Sequence, residues 1–383
     1  MILHPQAPGF TTITRPTLLL DEARARRNIA RMAARARRAG LKFRPHFKTH
    51  QSAAIGCWFR EHGVEAIAVS SVDMARYFAR NGWQDITVAF PVNLCELPKI
   101  DELAGAVQLG LLVDAPATVS ALATNLTHRV GVWIEVDTGY GRTGVPWDRA
   151  ADVIVLAGAI AACDRLTFAG LLSHTGQTYQ ATSLDDLLRL HDEALGRLRH
   201  LQSAVIAAGF DPCALSLGDT PACSVADDWR GVHEIRPGNF VFYDLMQHRV
   251  GVCRGADIAV AVACPVVGKY PNRGRVAIYG GAVHLSKEFL RDATGRRLYG
   301  YAASWNGETW DGPEPGAAMV SLSQEHGILE VADSLLTEIE VGQLLLILPV
   351  HSCLTAYLYR EYWTLGGSSL SRMQSNADPE AKE

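Results

Sequence analysis

The sequence predicts an α/β protein: a (β/α)8 barrel followed by a second, mainly antiparallel β domain. Three observations carry that expectation. Eight short apolar runs alternate with helical patterns from about residue 17 to 250. After about residue 250 the texture changes to β-like runs separated by Gly, Pro and Asn clusters, with little helical pattern. At 383 residues and 48% hydrophobic composition, the chain is long enough for two domains with cores of their own.

The first run, Leu18 to Leu20, leads to Asp21, a residue suited to cap a helix. An Ala- and Arg-rich segment follows to Ala39, and Gly40 is its stop signal. Arginines 24, 27, 31, 35 and 38 recur at three- and four-residue spacing, so they are expected on one solvated helix face. An organellar targeting helix is the competing reading. Against it, the segment starts twenty residues in and carries Asp21 and Glu22. The eight barrel strands are expected at 41–45, 66–69, 86–90, 107–113, 129–136, 166–172, 214–217 and 232–235. Helices are expected between them at 51–61, 74–80, 97–104, 117–123, 147–162 and 184–208. The barrel is thus assigned residues 17–250, and the β-rich domain residues 251–383 together with 1–16. Strands of that second domain are expected at 258–267, 275–278, 318–322, 328–331 and 344–348, with a polar tail at 373–383.

Composition excludes several classes. Thirty-six basic against forty acidic residues give a net charge of −4, which argues against a nucleic-acid surface or a polybasic membrane face. The longest apolar runs, such as 344–350, are too short to span a bilayer. The start, Met1-Ile-Leu-His-Pro, has neither the basic region nor the apolar stretch of a secretory signal. Eight scattered cysteines without a CxxC pair read as reduced thiols, and the expected location is the cytoplasm.

Barrels of this kind do their chemistry at the C-terminal ends of the strands, and three motifs fall there. Arg44-Pro-His-Phe-Lys-Thr-His50 directly follows the first strand. A lysine at the barrel mouth would be partly desolvated, which lowers an amine's pKa and makes it a nucleophile toward an aldehyde. A surface lysine in a basic loop is the competing reading of Lys48. Glu135-Val-Asp-Thr-Gly-Tyr-Gly-Arg-Thr-Gly144 ends the fifth strand. Its glycines allow close backbone approach to a ligand and Arg142 can meet an anionic oxygen, although a tight structural turn needs the same residues. Ser216-Leu-Gly-Asp-Thr220 and Glu234-Ile-Arg-Pro-Gly-Asn239 end strands seven and eight, the usual phosphate cradle of this fold. A strand-one lysine and that cradle suit one cofactor, pyridoxal 5′-phosphate.

Together with Gln324-Glu-His-Gly327 and Pro349-Val-His-Ser-Cys353, these strings resemble fold-type III pyridoxal-phosphate enzymes. Within that class they look like the D-serine dehydratase / D-threonine aldolase branch, relatives of alanine racemase. The resemblance covers nearly the whole chain. It implies Lys48 as the Schiff-base lysine, Arg142 near the cofactor's phenolic oxygen, and Gly238 and Asn239 on its phosphate, with Thr220 a further phosphate candidate. Where the family commonly has Gly-Ser-Thr-Pro, this chain has Gly218-Asp-Thr-Pro221, so the side chain of Asp219 is expected to point away from a phosphate. Arg236 matches an arginine that faces the pyridine nitrogen in alanine racemase. Tyr179 matches a position near the cofactor ring, and His174 is either a proton-handling group or a supporting histidine. His46 and His50 are expected to support Lys48. His351 and Cys353 resemble the branch's metal pair, holding a divalent ion, with zinc suited to a thiolate and an imidazole.

The resemblance implies a lyase acting on β-hydroxy D-amino acids, D-serine, D-threonine or 3-hydroxyaspartate, which are dehydrated to a 2-keto acid and ammonia. Retro-aldol cleavage to glycine and an aldehyde is the alternative, and the His-x-Cys pattern favours dehydration. A non-catalytic cofactor carrier would resemble the barrel alone. An alanine racemase would place a catalytic tyrosine in the second domain and have no metal pair, whereas here His351-Ser-Cys353 lies in that domain. A head-to-tail homodimer is the expected assembly, with a small-molecule D-amino acid as substrate.

Overall fold

A computed structural model describes residues 12–374. The N-terminal residues read for a signal segment, and all but the first two residues of the expected polar tail, lie outside them. The chain forms two compact units, one of residues 30–238 and the other of residues 12–29 with 239–374.

The first unit is a parallel barrel. Its strands are Lys42–Phe43, Ala66–Val69, Asp85–Pro91, Gln108–Val113, Val130–Asp137, Leu166–Ser173, Ala214–Leu217 and Glu234–Ile235. From the second strand on, each pairs with the next, and the eighth returns to the first through Ile235 opposite Phe43. The remaining seam, between the first and second strands, is closed by one bridge from His46 to Ala68. There the Phe47 N–H donates to Ala68 O (2.8 Å) and the Ala68 N–H to Pro45 O (3.0 Å). The buried Arg44 reinforces this thin seam. Its Nε donates to Glu234 Oε2 (2.6 Å) and its Nη1 to Asp85 Oδ1 (2.6 Å), linking strands one, three and eight. Strands buried on both faces need continuous apolar runs, which is how Ile67 to Val69 and Leu111 to Val113 read. Helices start where a capping oxygen meets free N–H groups: Ser71 accepts from Met74 N, and Ser183 from Asp186 N. The short helix Thr220–Val225 was not expected from periodicity, although Asp219 as cap and Pro221 in its first turn are its local signals.

The second unit is built on a closed antiparallel barrel. Val260–Tyr270, Arg275–Tyr279, His326–Val331, Trp310–Leu322, Gly300–Trp305 and Leu344–Pro349 pair in that order, and the last returns to the first. Gly300–Trp305 is absent from the sequence reading, and Trp310–Leu322 begins eight residues before its expected start at 318. Pro313 and Pro315 made that stretch read as a turn. Two register shifts between these partner strands accommodate the prolines. Thr17–Leu20, placed with the parallel barrel in the sequence reading, lies in this sheet, antiparallel to Val260–Ala263 and parallel to Glu361–Thr364. A continuous apolar run suits a central strand of any sheet, so its composition does not name its partner.

The helix Glu22–Arg38 begins at Asp21, whose Oδ1 accepts the Arg24 N–H (2.9 Å). The expected solvated arginine face is corrected at Arg24. That residue is buried, ion-paired with Asp21 (2.9 Å), and hydrogen-bonded to the carbonyls of Ile258 and Trp310. No helix among the described residues is long and apolar enough to cross a membrane.

Candidate active site

At the end of the first barrel strand the chain makes a turn whose inward anchor is Phe47. Its ring is fully buried and meets His50, Phe59, Phe78 and Trp83 at centroid distances of 4.4 to 5.0 Å. Around that anchor the turn is held by local bonds. The Lys48 N–H donates to His46 Nδ1 (3.3 Å), and Gln51, in a left-handed conformation at φ +47°, donates its side-chain amide to Lys48 O (3.0 Å). Lys48 itself is exposed, and Phe47 takes the inward position of this turn. His50 is buried against the same aromatic rings, and burial pushes its pKa from 6.5 down to about 3.

Lys48, Arg142, His174 and Arg236 converge at this end of the barrel. The field of the three cations adds to burial in holding His46 well below its ordinary pKa. Burial first, and the same cations after it, bring His174 down to about 3. His174 Nδ1 lies 2.8 Å from Gly218 O. A carbonyl only accepts, so the neutral ring carries its hydrogen on Nδ1 and leaves Nε2 as a bare acceptor. Arg236 is buried, with Nη1 on Ser216 Oγ (2.7 Å) and Nη2 on Ser173 O (2.8 Å), and its pKa falls to about 10 because of burial. Arg142 is exposed and lies over the Tyr140 ring at 5.4 Å. Its turn is fixed by Asp137, whose carboxylate accepts the N–H groups of Gly139, Tyr140 and Gly141. The motif is therefore both a tight structural turn and a platform for an arginine.

The expected phosphate cradle is a place of close backbone approach. A Cβ on Gly218 would lie 2.9 Å from the Arg236 backbone, and one on Gly238 would lie 2.9 Å from His46 O and 3.1 Å from Thr49 Oγ1. Thr220 is buried, and its N–H donates to the Tyr179 hydroxyl (3.2 Å). Three cations and a glycine-lined backbone form a donor set that fits an anionic aldehyde cofactor. Asp219 takes its donors from Thr175, Thr178 and its own helix, in keeping with a side chain directed away from a phosphate.

In the second unit, His351 precedes the helix Ser352–Tyr357, and Cys353 lies in its first turn. The residue that organises this loop is Asp244. It is completely buried. Its Oδ2 accepts from Asn239 Nδ2 (2.6 Å), His351 Nδ1 (3.1 Å) and the Ser352 N–H (3.0 Å), while Oδ1 caps the helix Leu245–Arg249. A carboxylate on Nδ1 fixes the ring and leaves Nε2 to bind a metal. Burial opposes charge on His351, but Cys353 and Asp244 outweigh it and raise its pKa to about 9. The Asn239 amide also reaches Cys353 Sγ (3.6 Å), so its side chain is engaged with this loop. Among the described residues, no group of three or more His, Cys, Asp or Glu side chains is disposed to hold a metal.

A strand-one lysine on a rigid turn, a cationic glycine-lined cradle after strands seven and eight, and a separate antiparallel barrel define the alanine racemase-like class of two-unit proteins. The chain belongs to that family: residues 20–245 match the model described as Alanine racemase, N-terminal domain, and residues 259–365 match the Putative serine dehydratase domain. It is 30% identical over 367 residues to the D-threo-3-hydroxyaspartate dehydratase of Delftia sp. (strain HT23), covering 92% of this chain and 94% of that one. The solved structure of that enzyme superimposes with a TM-score of 0.87 at 29% identity, covering 96% and 99% of the two chains. Its C353A mutant has been described in a metal-free form. A D-serine dehydratase of Dictyostelium discoideum is 25% identical, over 94% of this chain and 95% of its own. A 3-hydroxy-D-aspartate aldolase of Paracoccus denitrificans (strain Pd 1222) is 30% identical over 66% and 67%.

Proposed function

We propose that this protein is a pyridoxal-phosphate- and divalent-metal-dependent lyase that dehydrates β-hydroxy D-amino acids to a 2-keto acid and ammonia. D-Serine, D-threonine and 3-hydroxyaspartate are the candidate substrates. The observation that carries the reading is the buried Asp244 carboxylate on His351 Nδ1, which supports His351 and Cys353 as the metal-binding pair.

Pyridoxal phosphate, when bound, would supply an electron sink for the substrate's α-carbon. Lys48 would hold its aldehyde, Arg142 its phenolic oxygen and Arg236 its pyridine nitrogen. Gly238, the Asn239 main chain and Thr220 would hold the phosphate, and Tyr179 would lie near the ring. Nζ of Lys48 would be the base for the substrate's α-proton. His174 at a pKa of about 3 is a weak base, so its part in this reading is to accept a hydrogen bond at Nε2. His351 and Cys353 would hold a divalent ion, zinc by the softness of the thiolate, whose Lewis acidity eases departure of the β-hydroxyl.

The aldolase reading remains the alternative, supported by the Paracoccus relative. The serine dehydratase-type domain at 259–365 speaks against a carrier that needs only a barrel. For assembly, a homodimer is supported by exposed apolar side chains at Val283, Leu354, Tyr357 and Leu358, on two short helices joined by the Thr355 hydroxyl and Leu285 O. The cytoplasm is the proposed location, supported by eight free cysteines.

Incubating the cofactor- and zinc-loaded protein with D-threonine tests the reaction. The expected products are 2-oxobutanoate and ammonia; glycine and acetaldehyde would establish cleavage of the Cα–Cβ bond and overturn the dehydratase reading.

A further inference from the structure

The loop after the seventh barrel strand differs from the family pattern at one residue, Asp219, and that residue is buried. Every residue from 218 to 220 is hooked to the turn that carries His174 and Tyr179. Gly218 O accepts from His174 Nδ1 (2.8 Å), and the Thr220 N–H donates to the Tyr179 hydroxyl (3.2 Å). Between them, Asp219 does more than either neighbour. Its Oδ2 accepts from the Thr175 hydroxyl, and its Oδ1 accepts from the Thr178 hydroxyl (3.0 Å) and the Ala222 N–H (2.6 Å). Thr175 and Thr178 are both fully buried. They stand next to His174 and Tyr179 in sequence, so one carboxylate fixes both ends of the segment 174–179 against the cradle.

We propose that Asp219 is a positioning residue of the cofactor site, setting the spacing between the wall formed by His174 and Tyr179 and the cradle formed by Gly218 and Thr220. This rests on the reading that the barrel mouth takes pyridoxal phosphate. The argument is one of reach. A serine, the residue the family commonly has here, can cap the helix through its single oxygen. It cannot also span to two threonine hydroxyls that approach opposite oxygens of a carboxylate. An asparagine can: one oxygen keeps the cap and the Thr178 bond, and its amide meets the Thr175 hydroxyl, which turns to accept. In this chain the spacing is therefore set by a side chain that touches neither phosphate nor substrate.

The test uses the full-length protein, stripped of cofactor and titrated with pyridoxal 5′-phosphate. Its readouts are the dissociation constant, the visible circular dichroism of the bound cofactor and the melting temperature of the cofactor-free form. Asp219→Ser is expected to bind the cofactor roughly tenfold more weakly, as for loss of one to two buried hydrogen bonds, and to alter the dichroic band. Asp219→Asn is expected to restore the band and to bind within about twofold of the unsubstituted protein. A serine variant unchanged in affinity and band, whatever its melting temperature, would overturn the proposal. An asparagine variant as impaired as the serine one would overturn it too, since charge rather than reach would then be the cause. Should Asp219→Ser not fold, Thr178→Val loosens one tie and leaves the carboxylate and its cap in place; a weaker, altered complex is expected, and an unchanged one counts against the proposal. If the unsubstituted protein takes up no cofactor, the functional reading and this proposal fall together. A loaded wild type with indifferent variants removes this proposal alone.

Discussion

Replacing Asp244 by asparagine preserves volume and removes one acceptor from a place where four donor groups converge. In the native loop Oδ2 lies 2.6 Å from Asn239 Nδ2, 3.0 Å from the Ser352 N–H, 3.1 Å from His351 Nδ1 and 3.4 Å from Ser352 Oγ. The single oxygen of an asparagine can keep either the helix cap at Gln247 or this cluster. Whichever it keeps, at least one buried N–H is left without an acceptor, at a cost of about 1–3 kcal/mol. If the cap is kept, His351 also loses the partner that fixes its ring, and losing such a support typically lowers metal affinity by about 10–100-fold. Zinc titrated into the cofactor-free protein, followed by calorimetry, measures that affinity directly. Cys353→Ala, which removes a donor outright, provides the lower limit for the comparison. Asp244→Ala removes both oxygens, and a zinc affinity of that variant equal to the unsubstituted protein's would refute the argument that Asp244 orients His351 for a metal.

Two further outcomes are expected. Lys48→Ala should abolish the visible to near-ultraviolet absorbance of lysine-bound cofactor and leave the melting temperature of the cofactor-free protein nearly unchanged, because Lys48 is exposed and Phe47 anchors the turn; retained absorbance would reassign the lysine. His50 is buried neutral, with a folded pKa of about 3 against 6.5 unfolded, so the unfolded chain binds the extra proton. Its stabilising contribution is complete above pH 6.5 and is lost as pH falls toward 3, amounting to about 2 kcal/mol by pH 5. His50→Gln should accordingly flatten the decline of melting temperature between pH 7 and 5, and an unchanged slope would show that His50 is not the group responsible.

The alternation of apolar runs and helical stretches located all eight barrel strands, because parallel strands buried on both faces must be continuously apolar. The antiparallel unit was less legible. Gly300–Trp305 contains no β-branched residue, and Pro313 and Pro315 hid the start of its partner strand. Only the fold shows that bulges between these two strands accommodate the prolines.

The same division runs through the site. Lys48, Arg142, His351 and Cys353 are legible because each sits in a short string whose neighbours serve its own turn: Phe47 and His46 around the lysine, the Asp137-capped glycines around the arginine. Asp219 and Asp244 escape such a reading because their partners are distant in sequence, 44 residues away at Thr175 and 107 at His351. Each is a buried acid surrounded by donors; Asp244 meets His351 directly, and Asp219 meets Thr175 and Thr178, the neighbours of His174 and Tyr179. Asp244 orients a metal-binding candidate, and Asp219 ties the two turns that would enclose a cofactor. Both also cap a short helix, Leu245–Arg249 and Thr220–Val225 respectively. A residue that ends a loop, starts a helix and accepts distant hydroxyl, amide or imidazole donors converts local backbone geometry into long-range placement. Short-range patterns can locate such a cap. They do not contain the threonines or the histidine that the cap holds.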